Sequence, residues 1–248
     1  MDERPLLAPA DDLGESPLLP AGALVAAAVL YADMPSRFIA GSGAGTFSVV
    51  RWVVPALTVF VLVTFVAIRP RGRLVHALGW GERALHLTRR RLALVSIGFV
   101  SLANGVSIIL LVHLLVNGKL VHGDSTAAAQ LLRAAVHMWV VNVLLFGLWF
   151  WQLDGGGPAN RPVCAPGQRD FLFPQHTETE LVASGWKPEF LDYLYVSFTN
   201  AAAFSPTDTL PLSRWAKMLM LVQSAISLTL AVMVVARAVN ILHGPPAP

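Results

Sequence analysis

The sequence is poor in charge and in cysteine. Only 13% of its 248 residues are charged and the net charge is +3, which is too small to indicate a nucleic-acid partner. Cys164 is the only cysteine, so the chain can form no internal disulfide. The first fifteen residues carry five acidic side chains where a secretory signal would have a basic start. We interpret residues 1–17 as a disordered acidic tail.

Motifs of catalysis and of metal binding are also missing. Neither H-E-x-x-H nor G-x-S-x-G occurs, and the seven histidines are dispersed without the spacing of metal ligands. The run Gly155–Gly157 follows a predicted helix, whereas a phosphate-binding loop follows a strand. The sequence therefore predicts no enzyme, no catalytic residue, no metal site and no cofactor.

Long apolar segments are what the sequence has in abundance. Hydrophobic residues make up 55% of the chain and the mean hydropathy is +0.60, and a helix that crosses the hydrocarbon core needs about 20 mainly apolar residues. Four segments meet that length, at 49–68, 91–116, 131–153 and 213–242. A fifth, residues 18–32, is short and contains Pro20, so it either spans with help from its flanks or lies at the interface. We expect an all-α, multi-pass protein of the cell membrane with about five transmembrane helices.

A loop and a short helix precede the last span. Residues 154–187 are rich in glycine and proline and predict a long extramembrane loop. The apolar run Phe171–Pro174 could dip into the membrane interface, but we expect it to pack against the protein. A helix is predicted over 188–203, because a proline stands at its start and two acids fall in its first turn. It is too apolar for a surface helix and too short to span. With the proline-containing turn at 204–211, it predicts a re-entrant loop that enters the membrane half-way.

The segment from Tyr195 to Pro211 reads Y-V-S-F-T-N-A-A-A-F-S-P-T-D-T-L-P. It resembles, without a gap, the pore loop of the two-transmembrane potassium channel superfamily, Y-x-S-F-x-T-x-T-T-V-G-Y-G-D-x-x-P. Further matches are Ala216-Lys217 and Val235-Ala236-Arg237, which resemble the family's inner helix. The resemblance implies an assembly of four copies, since such a pore needs four loops around one axis.

The resemblance also divides the chain. Residues 18–130 hold three N-terminal membrane helices, and residues 131–243 form a pore-like module. The module consists of an outer helix at 131–153, the loop at 154–187, a pore helix at 188–203, a filter-like loop at 204–211 and an inner helix at 212–243.

The family's selectivity filter is rewritten in this sequence. Its letters T-V-G-Y-G correspond to Ala203, Phe204, Ser205, Pro206 and Thr207. Potassium filters coordinate the ion with inward-pointing backbone carbonyls, and side chains at the glycine positions make the required positive φ costly. The proline fixes its own φ and holds the preceding residue extended. We therefore expect a filter of a non-potassium type.

The expected function is ion permeation, with lipid, inorganic ions and three further copies of the chain as partners. The predicted filter runs from Ala203 to Asp208, and a ring of Asp208 carboxylates at the negative end of the pore helix gives cations a slight preference. Gln223 and Ser227 are predicted to face an inner cavity. The alternative function is a non-conducting scaffold, sensor or partner subunit that keeps the pore fold.

Polar side chains inside the predicted spans have two interpretations. They are expensive in hydrocarbon, which makes them candidates for function, and they also join helices through hydrogen bonds. For the amides, we expect helix-to-helix hydrogen bonds. The amides concerned are Asn104, Asn142 and Gln223.

Two features of the sequence predict opposite topologies. Seven arginines and one acid lie between residues 69 and 91, so the positive-inside rule places this connection in the cytoplasm. Two crossings later, the 154–187 loop is then also cytoplasmic. The resemblance to potassium channels places the same loop outside. The arginine bias favours the cytoplasmic placement and hence an inverted pore.

Overall fold

The computed structural model describes residues 18–33, 82–116, 125–183, 185–203 and 208–242, with five single positions between 52 and 59. The described residues form five α-helices and one two-stranded sheet. The helices are α1 (Leu18–Ala32), α2 (Glu82–Val116), α3 (Ser125–Leu153), α4 (Phe190–Ala203) and α5 (Arg214–Leu242). The strands are β1 (Phe171–Leu172) and β2 (Leu210–Pro211), which pair antiparallel.

Three of the described helices are long and apolar enough to cross a bilayer. They coincide with three of the spans predicted from hydropathy, so the chain is a helical protein of the multi-pass membrane type. The stretches concerned are Arg90–His113, Leu132–Gly156 and Arg214–Val235.

The remaining predicted spans have different outcomes. α1 coincides with the predicted 18–32 segment, and its 15 residues reach about 22 Å, less than the roughly 30 Å of the hydrocarbon core. The predicted 49–68 span and the 1–17 tail lie outside the described residues, apart from the five single positions. α2 begins at Glu82 rather than at 91, because the arginines, leucines and alanine before the span are good helix formers.

α3 is the central helix of the described bundle. It packs against α1, α2, α4 and α5, and 61% of its span is buried, against 22% for α5. Hydrogen bonds between polar side chains join α2 to its neighbours: the Tyr31 hydroxyl donates to Asn104 Oδ1 at 2.9 Å, and Trp149 Nε1 donates to Ser101 Oγ at 3.0 Å. The predicted helix-to-helix role of Asn104 is confirmed.

The loop after α3 is folded onto the helices by aromatic side chains. Phe171 and Phe173 are buried with Phe150 and Tyr193, so the prediction that this apolar run packs against protein is confirmed. The backbone N–H of Phe173 donates to Nδ1 of His176 at 3.2 Å. Burial, reinforced by Arg169, lowers the pKa of His176, which keeps this nitrogen an acceptor at neutral pH.

The start of α2 and the loop after α3 lie at the same end of the bundle, here named the loop end. A Cβ atom placed on Gly157 would lie 3.5 Å from Nε of Arg90. At the opposite end, Arg133 near the start of α3 forms an ion pair with Asp33, which follows α1. Arg90, at the end of the arginine-rich segment, and the loop therefore lie at the same end of the bundle. The positive-inside rule predicts that this end is cytoplasmic.

We expect the loop end to face the cytoplasm. Cys164 is half-buried and donates to the carbonyl of Arg161 at 3.2 Å, so a better thiol reporter is the exposed position Thr177→Cys in a Cys164→Ser background. A membrane-impermeant maleimide should label this reporter only after the cells are permeabilised. A matched reporter at the opposite end, Asp33→Cys, should react in intact cells. Labelling of Thr177→Cys in intact cells would contradict the cytoplasmic placement and the inverted pore.

Candidate functional site at the half-length helix

α4 ends near the middle of the bundle. It has 14 residues and is therefore about 21 Å long. It runs antiparallel to α3, because its first residue, Phe190, stacks edge-on against Trp151 while Ser197 Oγ donates to the carbonyl of Val143 at 2.7 Å. Val143 lies near the centre of the candidate span Leu132–Gly156. The last turn of α4 is thus about half-way across.

A group of amides and hydroxyls, here named the amide cluster, joins α4 to α5 at this depth. It consists of Ser197, Asn200, Gln223 and Ser224. Asn200 Nδ2 donates to Gln223 Oε1 at 2.8 Å and to the Met220 carbonyl at 3.0 Å. Gln223 Nε2 donates to Oγ and to the carbonyl oxygen of Ser197, at 2.7 and 2.9 Å. Both ends of the Gln223 amide are therefore satisfied within the chain, as hydrocarbon surroundings require.

A second polar contact joins α3 to α5. Asn142 Nδ2 donates to Ser227 Oγ at 3.1 Å, and both residues are at most 1% exposed. Asn142 Oδ1 is buried and has no hydrogen-bond partner among the described residues. The predicted helix-to-helix role of Asn142 is confirmed.

The start of α4 is held by a buried carboxylate at the end of α3. Asp154 is fully buried, and its Oδ1 accepts the backbone N–H groups of Asp170 and Phe171 at 2.7 and 3.2 Å. Its Oδ2 accepts the hydroxyl of Tyr193, in α4, at 2.5 Å. One carboxylate thus connects α3, the residue before β1, β1 and α4.

Arg161 completes this group, here named the Asp154 cluster (Asp154, Arg161 and Tyr193). Its Nε lies 3.6 Å from Asp154 Oδ2, and its guanidinium carbon lies 4.7 Å from the centre of the Tyr193 ring. Its terminal nitrogens donate to the carbonyls of Trp151, at 2.5 Å, and Pro188, at 3.2 Å. A buried ion pair is tolerated when such hydrogen bonds replace the lost water.

A glycine turn brings Arg161 back to Asp154. Gly155, Gly156 and Gly157 have φ angles of 57°, 83° and 95°, which glycine adopts at little cost. A Cβ at Gly155 would lie 2.9 Å from Cys164 Sγ, and one at Gly156 would lie 2.7 Å from Asn160 Nδ2. A side chain at either position would be strained by the positive φ and would displace one of these two neighbours.

The predicted site residues fall into three groups. Ala203 ends α4 and is exposed, as is Asp208. Phe204, Ser205, Pro206 and Thr207 lie outside the described residues, so the filter stays a prediction. Gln223 and Ser227 are 0% exposed and form hydrogen bonds with other helices of their own chain, so the helix-to-helix bonding predicted for the Gln223 amide is confirmed. An inner cavity would lie between copies of the chain and stays a prediction.

Several residues of the site were missed by the sequence reasoning. Asn200 occupies a threonine position of the resembled pattern, and its bonds to α5 follow only from the packing. Asp154 was placed in the loop without a role, as was Arg161. A usable signal was present: an acid and an arginine flanking a glycine run directly after a membrane helix would each be expensive to bury without the other.

Neither metal ligands nor known relatives add to the site. In the described part of the chain, no group of three or more His, Cys, Asp or Glu residues is placed to hold a metal ion. Comparison of the chain with protein-family models, with curated proteins and with solved structures found no match. The features that bear on function are therefore the geometry of α4 and the resemblance of its sequence.

Asp154→Asn should destabilise the protein strongly. The substitution keeps the shape of the side chain but leaves Arg161 buried without a countercharge, which costs about 3 to 5 kcal/mol. The free energy of unfolding in detergent, followed by circular dichroism, measures the loss. The matched change Asp170→Asn, at a half-buried acid of the same loop, should change the free energy of unfolding by less than about 0.5 kcal/mol.

If Asp154→Asn does not fold, Tyr193→Phe should still lower the free energy of unfolding by about 1 kcal/mol. Wild-type stability in both variants would refute this role of the cluster.

Gln223→Leu should destabilise the contact between α4 and α5. It removes one of the two acceptors of the Asn200 amide and the N–H that the Ser197 oxygens accept, at a cost of about 1 to 3 kcal/mol. The exposed Thr229→Val on the same helix should change the free energy of unfolding by less than about 0.5 kcal/mol. A negligible effect of Gln223→Leu would instead fit a side chain that faces a water-filled cavity.

Proposed function

We propose that α3, α4 and α5, with the loop between them, form a pore-loop module through which ions cross the membrane, with four copies around one axis. The observation that carries the proposal is the position of the C-terminal end of α4. Ala202 and Ala203 are exposed in the chain, at about the depth where the neighbouring Asn200 bonds to α5. This end of α4 needs surroundings that lipid does not provide.

The physical requirement comes from the backbone. The last four carbonyl groups of an α-helix have no partner within the helix. Within hydrocarbon, an unsatisfied polar backbone group costs several kcal/mol, so such helix ends occur where protein covers them or where they line a water-filled cavity. A cavity shared between copies of the chain supplies the water.

The path of the chain supports a re-entrant loop. α4 starts beside Asp154 at the loop end, and β2 pairs with β1 at the same end, with Leu212 N–H donating to the Asp170 carbonyl at 2.8 Å. Only six residues, 204–209, separate α4 from β2. The chain therefore enters and leaves the bundle on one side between Phe190 and Leu210, and α5 then makes the crossing.

The surface of α5 supports assembly. Its buried positions form one stripe along the helix, and large apolar side chains cover much of the remainder. The stripe is Ala216, Met220, Gln223, Ser227 and Leu230, and the exposed apolar residues include Leu221, Leu228 and Val235, at 50 to 61% exposure. Large apolar side chains that a spanning helix exposes lie against lipid or against other helices. Four copies arranged as the resemblance implies would cover one side of α5 and leave the other to lipid.

The filter and its ion preference follow from the same arrangement. We assign the filter to Ala203 and the five residues after it, ending at Asp208. The C-terminal end of α4 carries partial negative charge and Asp208 is exposed, which together favour cations. Gln223 and Ser227 serve to hold the helices, and the cavity wall is assigned to the exposed face of α5 that includes Ala225 and Thr229.

The purified protein should be a tetramer that passes cations after reconstitution. Native mass spectrometry from detergent should show four copies, and liposomes containing the protein should release monovalent cations faster than empty liposomes. Asp208→Asn should lower the ratio of cation to anion flux, because it removes the exposed charges beside the filter.

The matched control is Glu180→Gln, an exposed acid of the loop, which should leave the ratio unchanged. Monomers and dimers alone would refute the assembly. A tetramer without flux would refute permeation and favour the non-conducting scaffold or sensor.

A further inference from the structure

His176 closes a short turn in the loop after α3. It is the last residue of the one-turn helix Pro174–His176, and its Nδ1 accepts the backbone N–H of Phe173, the residue before that helix, at 3.2 Å. A neutral imidazole has one acceptor nitrogen, so this bond places the ring proton on Nε2. The next proton can bind only to Nδ1, where it turns the acceptor into a donor. Protonation of His176 therefore breaks the bond to Phe173.

The residue that this bond holds is buried against α4. Phe173 is 3% exposed, and its ring packs edge-on against the rings of Tyr193 and Trp186, at centroid distances of 5.2 and 5.9 Å. The His176 ring packs against Trp186 as well, at 5.3 Å. A backbone N–H of a buried residue that loses its acceptor is costly until water reaches it. Water reaches this N–H when the segment moves away from the helices.

The surroundings of His176 oppose its protonation. Burial lowers the pKa of His176, and the Arg169 guanidinium lowers it further, while the Asp154 carboxylate acts in the opposite direction. Asp154 is already bound to Arg161 and Tyr193. The other charged side chains of the second half of the loop and of the start of α4 are all at least partly exposed: Asp170, Glu178, Glu180, Lys187, Glu189 and Asp192.

Acid therefore weakens the folded loop. In an open loop, His176 would titrate near its ordinary pKa of about 6.5, and in the folded loop its pKa is lower. At pH values above both, the side chain is neutral in either state and the loop keeps its full stability. Between the two pKa values the open loop binds more protons than the folded loop, so stability falls as the pH drops through this range.

We propose that His176 is an acid-sensitive latch, whose protonation on Nδ1 releases Phe173 and loosens β1 from β2. Phe173 directly follows β1, and β1 pairs with β2, where the chain emerges after α4. The N–H of Leu212 also donates to the carbonyl of Asp170, the residue before β1. A fall in pH on the side of the loop end thus acts on the segment that follows α4. The latch is a property of the loop and does not depend on ion conduction.

Hydrogen exchange of the full-length protein in detergent, followed by mass spectrometry at about pH 7.5 and about pH 5.5, tests the latch. After correction for the intrinsic effect of pH on exchange, peptides that cover residues 171–177 and Leu212 should lose protection at the lower pH. The loss should be severalfold and at most about tenfold, which is the limit for an open-loop pKa near 6.5. Peptides from the centre of α3 should keep their protection.

Two variants separate the proton from the structure. In His176→Gln the side-chain oxygen can accept the same backbone N–H, as glutamine does at this position of a helix start, but it does not titrate. Its protection should therefore be nearly equal at the two pH values. Arg169→Gln removes the charge that opposes protonation and should reduce the loss, which keeps the test decisive if His176→Gln does not fold.

The matched control is His113→Gln, a histidine in the last turn of α2 at the opposite end of the bundle. This variant should lose protection in the loop as the wild type does. Three outcomes would overturn the proposal: loop protection in the wild type that is the same at both pH values, an undiminished loss in His176→Gln, or a loss that His113→Gln abolishes.

Discussion

The carboxylate of Asp154 is the group on which the rest of the described module depends. It is fully buried and receives the Tyr193 hydroxyl and two backbone N–H groups, with the Arg161 guanidinium beside it. Removing a carboxylate and a guanidinium from water costs several kcal/mol for each ion, so the arrangement is stable only while all partners are in place. The end of α3, the loop and the start of α4 are therefore expected to fold and unfold as one unit.

The depth at which α4 lies in the bundle is set by a stripe of polar side chains on one of its faces. Tyr193, Ser197 and Asn200 are spaced by four and three residues and so lie on one face. Each donates a hydrogen bond to a different element: to Asp154 after α3, to Val143 within α3, and to Met220 of α5. Sliding α4 by one turn would break all three bonds. The bonds to Val143 and Met220 lie near the middle of the bundle, where hydrocarbon surroundings offer no replacement partner.

The positions of the helices could be predicted from the sequence better than the contacts that each helix face makes. Hydropathy located α3 and α5, because span length is imposed by the bilayer. On α5, polar residues occur among apolar ones on several sides, so no periodicity distinguishes the face that meets α4 from a face that lines a cavity. The bonds that Gln223 and Ser227 make to α4 and α3 follow only from the packing. The pairing of Asp154 with Arg161 was likewise hidden, because it needs three consecutive glycines at positive φ.

The short strand pair β1–β2 joins the loop after α3 to the chain that follows α4. β1 belongs to the loop outside the bundle, and β2 is where the chain emerges after α4, with Phe171 opposite Pro211 and Leu172 opposite Leu210. Asp154 holds the first residue of β1 from the other side. Force applied to the loop is therefore transmitted to the emerging chain through a few short bonds. A protein that bound and pulled this loop would therefore act first on Leu210 and Pro211, the residues paired with it.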